Sequence, residues 1–278
     1  MKIAVIGKSG QLATCLKEVA PSELEITFYG SDQVDITKIE TYTPLIPADL
    51  IINCSAYTAV DKAEEFPEDT YAINRMGVIK LVQFSEENQM KLIHFSTDFV
   101  FDGEAHFPYT EDDFTGPKSI YGASKLAGEE VILQSSLSAL VIRTSWLYSP
   151  FGHNFCKTML RLGTEGSELS VVNDQIGTPT SALDLARVVF QMIKSGLPDI
   201  PELFHVSNTG QCSWADFARE IFSQKQLSVN VNNTTTKAFN APAPRPKYSV
   251  LSTEKLLFTY GIAMRPWKDA LKEVLSAL

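Results

Sequence analysis

A tyrosine and a lysine stand four residues apart at Tyr121 and Lys125, inside the stretch SIYGASKLAGEE. Residues at this spacing share one face of a helix. A lysine cation beside a tyrosine lowers the phenol from its ordinary pKa of about 10, and each unit is about 1.4 kcal/mol of preference for tyrosinate. A phenol tuned in this way can give up a proton near neutral pH. Nine tyrosines and seventeen lysines in the chain produce about half a chance pair at this spacing, so the pair alone carries little information. Some two dozen residues earlier, HFSTDFVFDG brings Ser96 and Thr97. A threonine hydroxyl there can hydrogen-bond a substrate carbonyl, and the same STD run reads equally well as a turn. Whether these residues do chemistry depends on the elements that hold them.

The first half of the chain alternates. KIAVIG is a short β-branched run ending in glycine, a buried strand, and GQLATCLKEVA follows with apolar residues at helical spacing. LEITFYG, DLIINCSA, KLIHFST and ALVIRTSWLY read as further strands. The long segment after DLIINCSA reads mainly as helix, as does YGASKLAGEEVILQ. This order predicts an α/β fold, a doubly wound parallel sheet of Rossmann-like type, with a smaller C-terminal substrate-binding part. The dinucleotide-binding domain is expected at 1–146 plus about 173–200, and the substrate part at about 147–172 plus 201–278. The helix at 180–195 is expected to pack back on the first domain. VNNTTTKAFNAPAPRPKYSV is polar and proline-rich, and reads as a loop or thinly structured excursion.

The first strand runs into Gly7, Lys8, Ser9, Gly10, Gln11, Leu12 and Ala13. Small residues at 7, 10 and 13 suit a strand-turn-helix that takes a pyrophosphate, with the helix N-terminus facing the anion. The second strand ends FYGSD, with no acid where one would bind a ribose 2′-hydroxyl. That omission favours NADP over NAD, with Lys8 as the nearest candidate cation. Asp35, with Ile36 beside it, either accepts from the adenine amino group or caps the turn near Thr37. Tyr121 and Lys125 open the helix after the fourth strand, which in such a sheet lies beside the nicotinamide.

A net charge of −9 argues against a nucleic-acid partner. No run of 18 apolar residues is available to span a membrane. The apolar run at the N-terminus is too short for a signal-peptide core, and the four dispersed cysteines read as reduced thiols. A cytoplasmic protein is expected.

The chain resembles the extended short-chain dehydrogenase/reductase family, in its dTDP-4-dehydrorhamnose reductase branch. The resemblance runs through GKSGQLA, NCSAYTAVDKAEE, HFSTDFVFDG, YGASKLAGEE, IRTSWLY, VVNDQIGTPTSALDLA and RPKYSVLSTEKL. AYTAVDKAE, RTSWLY and DQIGTPT are the more specific to the sugar-nucleotide branch. The resemblance implies hydride delivery from NADPH, with NADH as the alternative cofactor, to the C4 ketone of dTDP-4-dehydro-L-rhamnose. It assigns Thr97, Tyr121 and Lys125 to catalysis, with Tyr121 protonating the alkoxide and Lys125 also gripping the nicotinamide ribose. Ser55, Ala56 and Tyr57, in the loop begun at Asn53, would contact the cofactor. Thr97, Asp98, Phe99, Trp146 and Arg245 would meet the dTDP-linked deoxysugar, with Arg245 suited to its diphosphate. Phe99 stands where the family usually has tyrosine, so one hydroxyl is missing. The family also implies a homodimer, and some members hold a magnesium ion at a dimer interface; no ligands for one can be placed on this sequence.

Two other readings compete. A sugar-nucleotide epimerase or dehydratase of the same superfamily would keep NAD bound and recycle it; Asp98 offers an acid, but the glutamate expected after it is absent. The other is a catalytically silent, NADP-binding regulatory subunit.

Overall fold

The structure is a computed structural model and describes residues 1–166 and 168–278. Its main sheet has six strands: β1 (Lys2–Ile6), β2 (Glu25–Tyr29), β3 (Leu50–Asn53), β4 (Lys91–Thr97), β5 (Ala139–Thr144) and β6 (Glu202–His205). They lie in the order β6-β5-β4-β3-β1-β2, and every neighbouring pair is parallel. β3 and β5 are buried along their whole length, as strands covered on both faces must be.

Alternate residues of β1 feed two different cores. Ile3 and Val5 join Leu12 and Leu16 of the Gln11–Glu18 helix and the inner face of the Ala182–Ser195 helix. Ala4 and Ile6 join Val34, Leu81 and Ile132 on the opposite face. The Ala182–Ser195 helix does pack back on the first helix. The doubly wound α/β sheet is therefore as expected.

The direction of winding reverses between β1 and β3, because the chain runs from β1 out to β2 and then returns across β1. Ligand crevices in such sheets open at this point, beyond the carboxyl ends of the strands. Gly7, with φ of +91°, turns the chain there. A Cβ on Gly7 would lie 2.9 Å from Cys54 C and from Ser55 N. The turns after β1 and β3 thus approach as closely as backbone allows, and only glycine fits between them.

Three local readings need correction. β6 is drawn from the segment expected to belong to the smaller part; at four residues, with only Phe204 and His205 buried, it is too short to show a pattern. The long helical segment after β3 is broken into Val60–Glu65, Pro67–Tyr71, a π-helical turn at Ala72–Gly77, and Val78–Glu87. Pro67 takes the first position of a new helix, where its missing N–H costs nothing. Within the polar excursion, Asn230–Thr234 forms a strand parallel to Glu168–Val172, then Thr236–Phe239 a short helix. Val231 is that strand's one buried residue, which is why no apolar pattern announces it.

Candidate active site

The Ile120–Leu133 helix presents Tyr121 and Lys125. Ser119 caps it by accepting from the Gly122 amide at 3.1 Å. A Cβ on Gly122 would lie 2.2 Å from the Phe99 carbonyl oxygen, so the first helical turn presses directly on the turn that follows β4. That contact brings Tyr121 to Thr97 and Phe99. The Phe99 ring meets Tyr121 edge-on with centroids 5.6 Å apart, and Thr97 acts on the Tyr121 phenol. Thr97 is buried; its hydroxyl donates to Asp98 Oδ1 at 3.1 Å and accepts from the Phe99 amide at 3.2 Å.

The charge states differ from the simple expectation for a tyrosine-lysine pair. Burial pushes the Tyr121 phenol up to about 12; the Thr97 hydroxyl lowers it and Asp98 raises it, and Lys125 is not among the causes. The reason is where the amine points. Lys125 is buried, and its Nζ lies 3.2 Å from His94 Nε2. Burial pulls Lys125 down to about 8, while Glu129 and Cys54 act to raise it. Burial likewise pushes the Asp98 carboxyl up to about 6, with Ser249, Thr97 and the backbone acting to lower it.

Two buried asparagines tie this helix to the loop after β3. Asn53 Oδ1 accepts from the Ser55 amide at 3.0 Å and the Ser55 hydroxyl at 2.8 Å. Asn74, in the π turn, accepts from the Tyr57 amide at 2.8 Å and donates to the Tyr57 carbonyl at 3.1 Å and Ser124 Oγ at 2.9 Å. The Ser55–Ala56–Tyr57 loop is therefore pinned at both ends, beside the Gly7 turn.

The Gly7 turn has the features of an anion cradle. The amides of Gly7 and Lys8 donate to the Tyr29 carbonyl at 3.0 Å each, which anchors the turn to the end of β2. Gly10 is the N-cap of the Gln11–Glu18 helix and supplies no side-chain cap, so the first-turn amides have no side-chain partner there. Ser9 is exposed and Leu12 buried. The Gln11 side chain is committed elsewhere, donating to the Leu147 carbonyl at 3.2 Å and accepting from Ser149 at 3.3 Å. Asp35 caps its own turn: Oδ1 accepts from the Thr37 amide at 2.9 Å and hydroxyl at 2.7 Å, which holds the carboxyl below its ordinary value. Ile36 is buried against Gly77.

Beyond Phe99 lies a cavity of about 350 Å³, mostly apolar, bounded by Trp146, Phe155, Trp214, Arg245 and Ser249. Trp146 has a positive φ of 45° and lies flat on Trp214, with ring centroids 3.5 Å apart and planes 6° apart. Gly177 packs directly against the Trp146 indole, since a Cβ there would lie 2.5 Å from Trp146 Cε2. Trp214 donates to Gln175 Oε1 at 3.1 Å.

The structure thus gathers Thr97, Asp98, Phe99, Tyr121 and Lys125 at the carboxyl end of β4, and sets Trp146 and Arg245 around the adjoining cavity. Arg245 is not free, because it pairs with Asp61. His94, Asn74 and Trp214 escaped the sequence reading. A histidine inside a strand, an asparagine inside a helical run and a second tryptophan carry no spacing signal; only their neighbours reveal them. Among the described residues, no three His, Cys, Asp or Glu side chains gather as metal ligands, and no helix is long and apolar enough to cross a membrane.

A parallel doubly wound sheet, a glycine turn at its reversal point and a Thr-Tyr-Lys group at the same edge define a short-chain dehydrogenase/reductase architecture. The family model described as RmlD substrate binding domain matches residues 1–278, and the chain belongs to that family. It is 40% identical to a dTDP-4-dehydrorhamnose reductase of Sinorhizobium fredii, covering 100% of this chain and 98% of that one. Among solved structures, a dTDP-4-dehydrorhamnose reductase from Clostridium acetobutylicum superposes with a TM-score of 0.94 at 41% identity, covering 99% of both chains. One from Bacillus anthracis, in complex with NADP, gives 0.94 at 38% identity, covering 100% of this chain and 99% of that one.

Proposed function

We propose that this protein is an NADPH-dependent reductase that converts the C4 ketone of dTDP-4-dehydro-L-rhamnose to the alcohol of dTDP-L-rhamnose. The observation that carries the reading is the packing of the Tyr121 turn against Phe99, with Thr97 beside it, at the carboxyl end of β4 and next to the Trp146 cavity. The relatives named as dTDP-4-dehydrorhamnose reductases support the substrate, and the relative in complex with NADP supports the cofactor.

The residues present fit a dinucleotide. The backbone of Gly7, Ser9, Gly10, Gln11 and Leu12 would take its diphosphate, at a turn that a Cβ on Gly7 would fill. Asp35 and Ile36 would flank the adenosine end, and Ser55, Ala56 and Tyr57 the middle. Lys125 would hold the nicotinamide ribose. When bound, the reduced nicotinamide supplies the hydride.

The protein's own part is to place and protonate the ketone. Tyr121 gives its phenolic proton to the alkoxide as it forms, a contribution of about 10²–10⁴ in rate. Thr97 orients the same oxygen, releasing Asp98 Oδ1 to do so. Asp98 and Phe99 border the sugar, Trp146 covers it with its ring, and Arg245 reaches towards the diphosphate of the dTDP group. We assign residues 1–146 plus about 173–200, joined by β6, to cofactor binding, and about 147–172 with most of 201–278 to the sugar nucleotide. A cytoplasmic homodimer goes with this reading through the family resemblance alone.

The test is to supply dTDP-4-dehydro-L-rhamnose and follow NADPH absorbance. Loss of one NADPH per sugar reduced is expected. Sugar conversion without NADPH loss would point to an epimerase or dehydratase, and NADPH binding without conversion to a regulatory subunit.

A further inference from the structure

We infer that His94 is a positioning residue that holds Lys125 as an uncharged amine in the cofactor-free protein, so that cofactor binding takes up a proton at Lys125. The inference rests on Lys125 belonging to the cofactor site as proposed above.

The hydrogen-bond inventory leads there. His94, on β4, is 1% exposed, and each of its ring nitrogens has a single neighbour. Asn53 Nδ2 lies 3.0 Å from Nδ1, and Lys125 Nζ lies 3.2 Å from Nε2. The Asn53 amide has only one workable orientation, because Oδ1 accepts from the Ser55 backbone amide at 3.0 Å. Turning it over would set two donors against each other. Asn53 therefore donates to Nδ1, and Nδ1 carries no proton. A neutral ring then holds its proton on Nε2, aimed at Nζ. An ammonium has three donors and no acceptor; only the free amine accepts from Nε2–H. The other two states fail: an imidazolium would oppose a donor at each nitrogen, and the Nδ1–H tautomer would oppose Asn53.

The surroundings agree. Burial holds His94 well below the ordinary histidine range. The groups facing Lys125 are His94 from β4, Cys54 from the loop after β3, and Glu129 from its own helix. Glu129 is committed to buried Arg143 of β5, whose Nε donates to Oε2 at 3.1 Å. Tyr121 lies on the same helix face, and the buried Asp98 follows β4. The carboxylate that acts on the amine is Glu129, already paired with Arg143. Once a proton from solvent converts Nζ to the ammonium, it can no longer face Nε2–H, and it turns to the face it shares with Tyr121. There it can donate to ribose hydroxyls and favour tyrosinate. Asn53 keeps the His94 tautomer unchanged, so no other bond is made or broken. Because Asn53 also holds Ser55, the charge of Lys125 is coupled to the loop that meets the cofactor.

The experiment is calorimetric titration of the full chain with NADPH at pH 8.5, in buffers of different ionisation enthalpy. At that pH the cofactor's phosphates are fully ionised, so net proton uptake reports the protein. With Lys125 near 8 when free and back towards its ordinary value when bound, uptake of about 0.7 proton per NADPH is expected. His94→Gln presents a carbonyl that accepts from an ammonium, so uptake should fall below that of the wild type, and in Lys125→Met it should be lost. Nitrogen-15 spectra of the wild-type histidines give an independent reading that needs no variant to fold: the buried ring of His94 should be protonated at Nε2 and bare at Nδ1. NADPH binding without proton uptake, uptake unchanged in His94→Gln or in Lys125→Met, or an Nδ1–H tautomer would each overturn the inference. Failure of the wild type to bind NADPH at all would overturn the proposed function first, and this inference with it.

Discussion

Arg245 donates to both oxygens of a single carboxylate, Asp61, at 3.0 and 2.9 Å. The pair joins the proline-rich segment that borders the cavity to the helix after β3. Asp61 also accepts from the Ala243 amide at 3.1 Å, and the arginine keeps its carboxyl below the ordinary value. Both bonds come from Nη2, and Nη1 donates to the Ala243 carbonyl at 3.0 Å, so the guanidinium is held in direction as well as place. Asp61→Ala should therefore raise KM for the sugar nucleotide several-fold while leaving the Kd for NADPH unchanged. Parallel steady-state and NADPH fluorescence titrations measure the two.

Lys8 bears on the choice between NADPH and NADH. It is exposed, and its amide is bound to the Tyr29 carbonyl at the end of β2, the strand that ends without an acid at its tip. On the proposed function it is the nearest candidate cation for a 2′-phosphate. Lys8→Glu should weaken NADPH binding by roughly 3- to 10-fold, as expected for an exposed charge, and leave NADH nearly untouched. The difference should shrink as salt is raised.

Asp98 gives the fold a pH dependence of definite sign. Burial raises its carboxyl from 3.8 to about 6. Below pH ~4 the folded and unfolded chains both carry the proton, and the buried acid costs nothing. Between pH ~4 and ~6 the unfolded chain is ionised while the folded chain keeps its proton, so stability is lost across that window and the full cost stands above it. Asp98→Asn keeps an acceptor for the Thr97 hydroxyl and removes that cost. It should be more stable than the wild type at pH 8, by at most about 3 kcal/mol, and equal to it near pH 4. Denaturant melts at the two pH values check this.

The sheet and the catalytic edge were legible because they rest on continuous signals. LIIN and ALVIRT open on unbroken apolar runs, Leu50–Ile52 and Ala139–Ile142, and Gly7 follows its strand without a gap. The residues that set the charge of the site were not. His94 is one polar residue in a strand, Asn74 sits in a π turn that a helical pattern cannot distinguish, and Asp61 reads as an ordinary surface acid. Each acts through a partner remote in sequence: 31 residues for His94 with Lys125, 50 for Asn74 with Ser124, and 184 for Asp61 with Arg245. In the cofactor-free chain Lys125 does not act on Tyr121, for the same reason. Spacing put both on one helix face, but the orientation of the amine is decided by His94 on another element.

The central claim is that Tyr121 delivers the proton to the reduced ketone. Tyr121→Phe removes one hydroxyl and keeps the ring that meets Phe99 edge-on. The direct measurement is kcat for NADPH-dependent reduction of dTDP-4-dehydro-L-rhamnose, taken beside the Kd for NADPH. A fall in kcat of about 10²–10⁴ with unchanged NADPH affinity is the predicted result. A variant that binds NADPH normally and turns over at the wild-type rate would contradict it.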